Sequence, residues 1–79
     1  MQRPREPDSG RDVRFFERTG DDARATLERL GRRLRVEGAE VELLTSADQP
    51  GLWLLVVRGG PEVEAAEGTR RWRFRTVER

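Results

Sequence analysis

The chain has 79 residues, a net charge of +1 and a charged fraction of 39%. That length suffices for one domain, and small domains bury so little of their surface that oligomerisation often adds stability. Cysteine and histidine are absent, and arginine supplies all sixteen cationic side chains. The composition therefore excludes thiolate, disulfide, imidazole and Schiff-base chemistry. We predict no catalytic residue, no cofactor and no metal site.

The missing residue types also bear on the source and the location of the protein. The chain has no Lys, Asn, Ile or Tyr, whose codons are AT-rich, so a GC-rich bacterial genome explains their absence. The lack of cysteine fits a reducing cytoplasm. No apolar run approaches the roughly 18 residues of a membrane span, and the N-terminus lacks the apolar core of a secretory signal. We therefore expect a cytoplasmic protein without membrane contact.

The first 38 residues predict a lead-in, a strand and a helix. Residues 1–11 contain two prolines and several charges, which indicates a disordered lead-in before a single α+β domain over residues 12–79. Residues 13–18 follow as a strand. Thr19 and Asp22 form a capping-box pattern that predicts a helix start.

Apolar residues at helical spacing continue the predicted helix as far as Leu34. Glu28 is expected to pair with Arg32 one turn later. Gly38 suits the end of the helix, because glycine adopts a positive φ at little cost.

The second half predicts three more strands. Residues 39–45 alternate between apolar and charged side chains, and Pro50-Gly51 suits a type II turn. Residues 52–58 are apolar on both faces, which is typical of a central strand. Residues 61–67 are expected to form one or two helical turns. The last strand, residues 70–77, alternates so that Trp72, Phe74 and Thr76 face inward while Arg71, Arg73 and Arg75 face outward.

The resulting order, β-α-β-β-(short α)-β, resembles a small ferredoxin-like domain in which the second helix has shrunk and one main helix covers one face of the sheet. In that topology the first and third strands are central, which fits the apolar character of residues 52–58. The alternative is a β-α-β-β-β sheet, in which a plain hairpin places the last strand beside the third.

A single helix covers one face of a sheet, so half of the double-sided third strand needs another cover. That half is either Trp53, Leu55 and Val57 or Leu52, Leu54 and Val56, and the first set is our candidate partner-binding surface. We therefore expect a non-enzymatic interaction module that self-associates or docks on a protein partner.

Two alternatives remain. Arg71, Arg73 and Arg75 stand about 7 Å apart along the last strand, close to phosphate spacing, and form a candidate nucleic-acid-binding surface. Their ordinary role would be pairing with acids of the same chain, such as Glu62. The element order is also similar to that of the antibiotic-biosynthesis-monooxygenase-like dimers, whose sheets pack face to face, and this resemblance implies a small-ligand pocket within a dimer.

Overall fold

A computed structural model describes residues 12–77 of the chain, and the predicted disordered lead-in, residues 1–11, lies outside them. The elements in chain order are strand β1 (Asp12–Thr19), helix α1 (Ala23–Val36), and strands β2 (Glu40–Thr45), β3 (Leu52–Arg58) and β4 (Arg70–Arg75). The protein is therefore a small α+β fold with one helix and a four-stranded antiparallel sheet.

The strand order across the sheet is β2-β3-β1-β4. β1 and β3 are central, as the sequence predicts for its two most apolar strands. β4 pairs with β1, with Phe15 opposite Trp72 and Val13 opposite Phe74. The hairpin alternative with β4 beside β3 is therefore wrong, and the chain crosses from β3 over β1 to reach the far edge.

The core lies between α1 and one face of the sheet. Its fully buried large side chains come from both layers: Phe16, Leu27, Leu34, Leu55 and Val57. The helix lies close to the sheet at Gly31, where an added Cβ would stand 3.2 Å from Cδ1 of Leu55. A glycine in mid-helix lowers helix propensity by about 1 kcal/mol, and here it admits the side chain of β3.

The two ends of α1 differ in how well the sequence predicts them. Asp22 is the N-cap residue and makes no side-chain cap, because Nη2 of Arg18 binds its carboxylate at 2.9 Å. The predicted capping box is therefore wrong. Gly38 is confirmed at the other end, with a φ of +99°. The next amide, that of Ala39, donates to the Leu34 carbonyl at 3.0 Å and closes the helix.

The segment that joins β3 to β4, residues 59–69, is called the crossover segment here. It contains no helix, so the helical turns predicted for residues 61–67 are wrong. Guanidinium groups from the sheet donate hydrogen bonds to backbone carbonyls of this segment: Arg14 to Gly59 and Pro61, Arg18 to Glu67, and Arg71 to Val63. Carbonyls engaged in this way do not need the amides of a helical turn, and residues 61–67 form no helix.

Candidate interaction surface

The three residues predicted to bind a partner lie beneath the helix. Leu55 and Val57 are 1% and 0% exposed and belong to the core. Trp53 is partly buried against the same core, and the Arg24 guanidinium lies 5.6 Å from the centre of its ring. The helix therefore covers this half of β3, and the other half, Leu52, Leu54 and Val56, faces away from α1.

The side of the sheet opposite α1 is called the open face. Strand alternation and register place fourteen side chains there: Val13, Phe15, Glu17 and Thr19 of β1; Glu40, Glu42 and Leu44 of β2; Leu52, Leu54, Val56 and Arg58 of β3; and Arg70, Trp72 and Phe74 of β4. No helix or loop of residues 12–77 packs over this face, since the only helix and the crossover segment both contact the other side.

Three aromatic rings form a continuous cluster on the open face. The rings of Phe15 and Phe74 meet edge to face with centroids 5.2 Å apart, and Trp72 stacks near Phe74 at 6.4 Å. Trp72 and Phe74 remain 40% and 52% exposed, and Leu44 on the opposite edge strand is 41% exposed. Large apolar side chains thus extend from one edge of the sheet to the other and remain accessible to solvent.

Trp72 and Phe74 were predicted to face inward, and relative to the helix that orientation is wrong. Alternation separates the two faces of a strand but does not say which one the helix covers. In the structure Arg71, Arg73 and Arg75 of β4 lie on the helix side, where Arg71 reaches Glu62 and the Val63 carbonyl of the crossover segment. The aromatic side chains are consequently on the open face.

Charged residues bound the apolar band at two opposite corners of the open face. At one corner Glu17 accepts a hydrogen bond from Nε1 of Trp72 at 3.1 Å, and the Arg70 guanidinium lies 4.9 Å from the Trp72 ring centre. At the other corner Glu40 is the cross-strand neighbour of Arg58. Each corner therefore holds both signs of charge, and the face has no strong field of one sign.

A groove of about 360 Å³ opens at one end of the open face. It is lined by Glu17, Leu44, Thr45, Ser46, Leu52 and Leu54. Its walls are mainly leucine side chains, with one carboxylate at the rim. The groove is continuous with the apolar band, so anything that covers the band also closes the groove.

The candidate nucleic-acid residues of β4 are engaged by acids of the same chain. Arg71 and Arg73 both bind the carboxylate of Glu62, and Arg75 contacts Asp12 at 3.4 Å. This is the intramolecular pairing that the sequence offered as their ordinary role. The three guanidinium groups hold the crossover segment and the start of β1 against the edge strand.

No protein-family model, no curated protein and no solved structure shows significant similarity to this chain. Within residues 12–77 no helix is long and apolar enough to cross a membrane. The same residues contain no group of three or more acidic side chains placed to hold a metal ion.

Sequence reasoning overlooked the aromatic half of the open face. It assigned Phe15, Trp72 and Phe74 to no site and left Leu44 aside. A signal was present in the sequence, because a β1–β4 pairing would bring Phe15 next to Trp72 and Phe74. The aromatic cluster can be recognised only when the strand order is known. In the hairpin alternative β4 would have been separated from β1, and Phe15 would not lie beside Trp72 and Phe74.

Proposed function

We propose that this protein is a non-enzymatic interaction module that self-associates, with the open face of one copy packing against the open face of a second. The observation that carries the proposal is the cluster of Phe15, Trp72 and Phe74, which is continuous with Leu54 and Leu44 and left uncovered by α1, the one helix of residues 12–77. A sheet with one apolar face against a helix and another against a second sheet is a standard layered arrangement.

The size of the open face suits a reversible dimer. Four strands of about six residues cover roughly 20 by 19 Å, so two copies bury on the order of 1,000 Å², near the lower end of specific interfaces. Trp72, Phe74 and Leu44 are 40%, 52% and 41% exposed, which leaves roughly 250 Å² of their surface to cover per copy on the usual side-chain scale.

The energy of that burial can be compared with the cost of association. Two copies remove roughly 500 Å² of apolar surface from water, a gain of about 12 kcal/mol at about 25 cal/mol per Å². Association costs about 4–15 kcal/mol in lost freedom. At the lower end of that cost the surplus is about 8 kcal/mol, which corresponds to a dimer that dissociates in the micromolar range; a larger cost gives a weaker dimer, so the interface is not an obligate one.

Charge complementarity supports a second copy as the occupant. A two-fold axis along the apolar band would place the corner with Glu40, Glu42 and Arg58 of one copy over the corner with Glu17 and Arg70 of the other. Each corner holds both signs of charge, so the arrangement allows Arg70 of one copy to pair with Glu40 of the other on both sides of the band. The same arrangement would enclose the two leucine-lined grooves at the interface.

Sedimentation velocity from about 1 to about 300 µM tests the proposal. We expect the wild type to pass from monomer to dimer in this range. Phe74→Asp removes about 100 Å² of contact per copy and adds a charge, so it should weaken the dimer by at least about 10³-fold. Val36→Asp is the matched control, since Val36 is 87% exposed on the helix, and it should dimerise like the wild type.

Three results would contradict the proposal. If the wild type stays monomeric throughout the concentration range, a second copy of the chain does not cover the open face. Equal dimerisation of Phe74→Asp and the wild type places the interface elsewhere. A stoichiometric complex with a different protein that requires Phe74, formed by a chain that does not dimerise, assigns the open face to that partner.

We further propose that the fold is a ferredoxin-like arrangement in which an extended crossover segment replaces the second helix. The support is the combination of central β1 and β3 strands, edge strands β2 and β4, and a helix between β1 and β2. The crossover segment runs over the same face as α1, since Val63 and Ala65 pack against the core. An experimental structure in which this segment packs on the open face would refute this assignment.

A further inference from the structure

The outer surface of α1 is strongly basic. The helix buries Ala23, Leu27, Gly31 and Leu34 against the sheet and directs Arg29, Arg32 and Arg33 to solvent on the opposite side. Arg32 and Arg33 come three and four residues after Arg29, so the three arginines lie on the outer side of the helix within about 6 Å along its axis. This set is called the arginine ridge.

None of the three arginines in the ridge has a partner within residues 12–77. Glu28, which was expected to pair with Arg32, binds Arg24 instead, with Nε and Oε2 3.1 Å apart. No ion pair or hydrogen bond within the described part of the chain involves the ridge. This separates the ridge from the arginines of β4, which Glu62 and Asp12 engage.

The charge of the molecule is concentrated on this helix. α1 holds five arginines and one glutamate, for a net charge of +4, in a chain whose total is +1. The rest of the chain therefore carries −3. A net charge near zero conceals a basic layer on one side of the sheet, and such a layer attracts polyanions at long range when the salt concentration is low.

We propose that the arginine ridge binds the phosphate backbone of a nucleic acid. Guanidinium groups donate bidentate hydrogen bonds to phosphate oxygens, and three of them on one helix face can meet neighbouring phosphates of a strand. Arg29 and Arg33 lie one turn apart, with Arg32 beside them. The ridge contacts phosphates and not base edges, so binding is independent of sequence.

The helix is poorly suited to a lipid surface, which is the other common polyanion. A membrane-surface helix needs an exposed apolar face to insert between headgroups. The apolar side of α1 is buried, with Leu27 and Leu34 at 0% exposure. The ridge also lies on the side of the sheet opposite the open face, so it remains accessible whether or not two open faces pack together.

Fluorescence anisotropy with the full chain tests the proposal, using a labelled DNA duplex and a labelled single-stranded RNA of about 20 nucleotides per strand. The test variant is Arg29→Gln with Arg33→Gln, which removes two charges and keeps a good helix former at both positions. The matched control is Arg71→Gln with Arg73→Gln, which removes the same charge from β4. Circular dichroism verifies that both variants are folded.

We expect the wild type to bind at least one probe, and the ridge variant to bind that probe at least about tenfold more weakly. The slope of the logarithm of the binding constant against the logarithm of the salt concentration should fall in magnitude by about two. The β4 control should stay within about twofold of the wild type. Arg32→Gln alone provides an independent check, with a slope reduced by about one. Loss of binding in the β4 control but not in the ridge variant would overturn the proposal.

Two further outcomes would also overturn the proposal. One is the absence of wild-type binding to either probe at about 50 mM salt and about 100 µM protein. The other is ridge-dependent binding to vesicles containing phosphatidylserine without binding to the nucleic acids, which would assign the ridge to a membrane. Neither outcome depends on dimerisation, so failure here is distinguishable from failure of the open-face dimer.

Discussion

Arg14 holds the crossover segment to the sheet, and its replacement is the sharpest test of how this fold is stabilised. The side chain is on a central strand and only 4% exposed, and it forms no ion pair within residues 12–77. Its guanidinium donates to the carbonyls of Gly59 and Pro61, at 2.7 Å for the second. Arg14→Met keeps most of the volume and removes both donors.

The expected loss follows from those two hydrogen bonds. A hydrogen bond from a charged donor contributes about 1.5–3 kcal/mol, and two of them give about 3–6 kcal/mol. Replacing the buried cation also removes its desolvation penalty, so we expect a net loss near the lower end, about 3 kcal/mol. A domain of this size has a total of about 4–12 kcal/mol, so the variant should lose between about a quarter and about three quarters of the wild-type stability.

Urea unfolding followed by tryptophan fluorescence measures this loss. The protein concentration is held constant, because dimerisation makes the apparent stability depend on it. Arg73→Met is the control, since Arg73 makes an exposed ion pair with Glu62 and should lose less than about 1 kcal/mol. A free energy of unfolding for Arg14→Met within about 1 kcal/mol of the wild-type value would refute the reasoning. If Arg14→Met does not fold, Arg14→Lys, which cannot reach both carbonyls, should fall between the two.

Two further predictions concern the crossover segment and the helix start. Gly60→Ala should lose about 2–3 kcal/mol in urea unfolding, and Gly59→Ala only about 1. Both glycines have positive φ, but only at Gly60 would the new Cβ lie 2.7 Å from Cβ of Ala39; equal losses would exclude this contact as the cause. The hydrogen bonds from Arg18 lower the pKa of Asp22, so its stabilising contribution is present above the unfolded-state pKa and lost as pH falls. Asp22→Asn should reduce the fall in melting temperature under acid, and an unchanged acid profile would exclude Asp22.

The regular elements of this fold are readable from the sequence, because each depends on a local pattern. The double-sided apolar run gives β3, the helical spacing of Leu27 and Leu34 gives α1, and Gly38 marks its end. The crossover segment is different. Pro61 and the following residues suit a helical turn, but arginines on β1 and β4 that are distant in sequence bind their carbonyls, and no helix forms. A tertiary contact has overridden a local preference there.

The candidate surfaces are harder to predict from the sequence, because they too depend on tertiary contacts. Both halves of β3 look alike in the sequence, and the position of α1 decides that Leu55 and Val57 are core while Leu54 is on the open face. The exposure of the aromatic cluster likewise depends on β4 pairing with β1. Residues 70–75 alternate in either arrangement, so no local pattern could have oriented Trp72 and Phe74.

The arginines show how far composition alone can mislead. A GC-rich genome would raise arginine content everywhere, so the sequence gives no reason to prefer one arginine over another. The structure divides them by what their guanidinium groups contact. Four arginines on β1 and β4 bind carbonyls or an acid of the crossover segment and hold it on the sheet where a second helix would otherwise pack: Arg14, Arg18, Arg71 and Arg73. The arginine ridge on α1 has no such contact. Within residues 12–77 solvation alone satisfies its charge, and the ridge remains available to bind a polyanion.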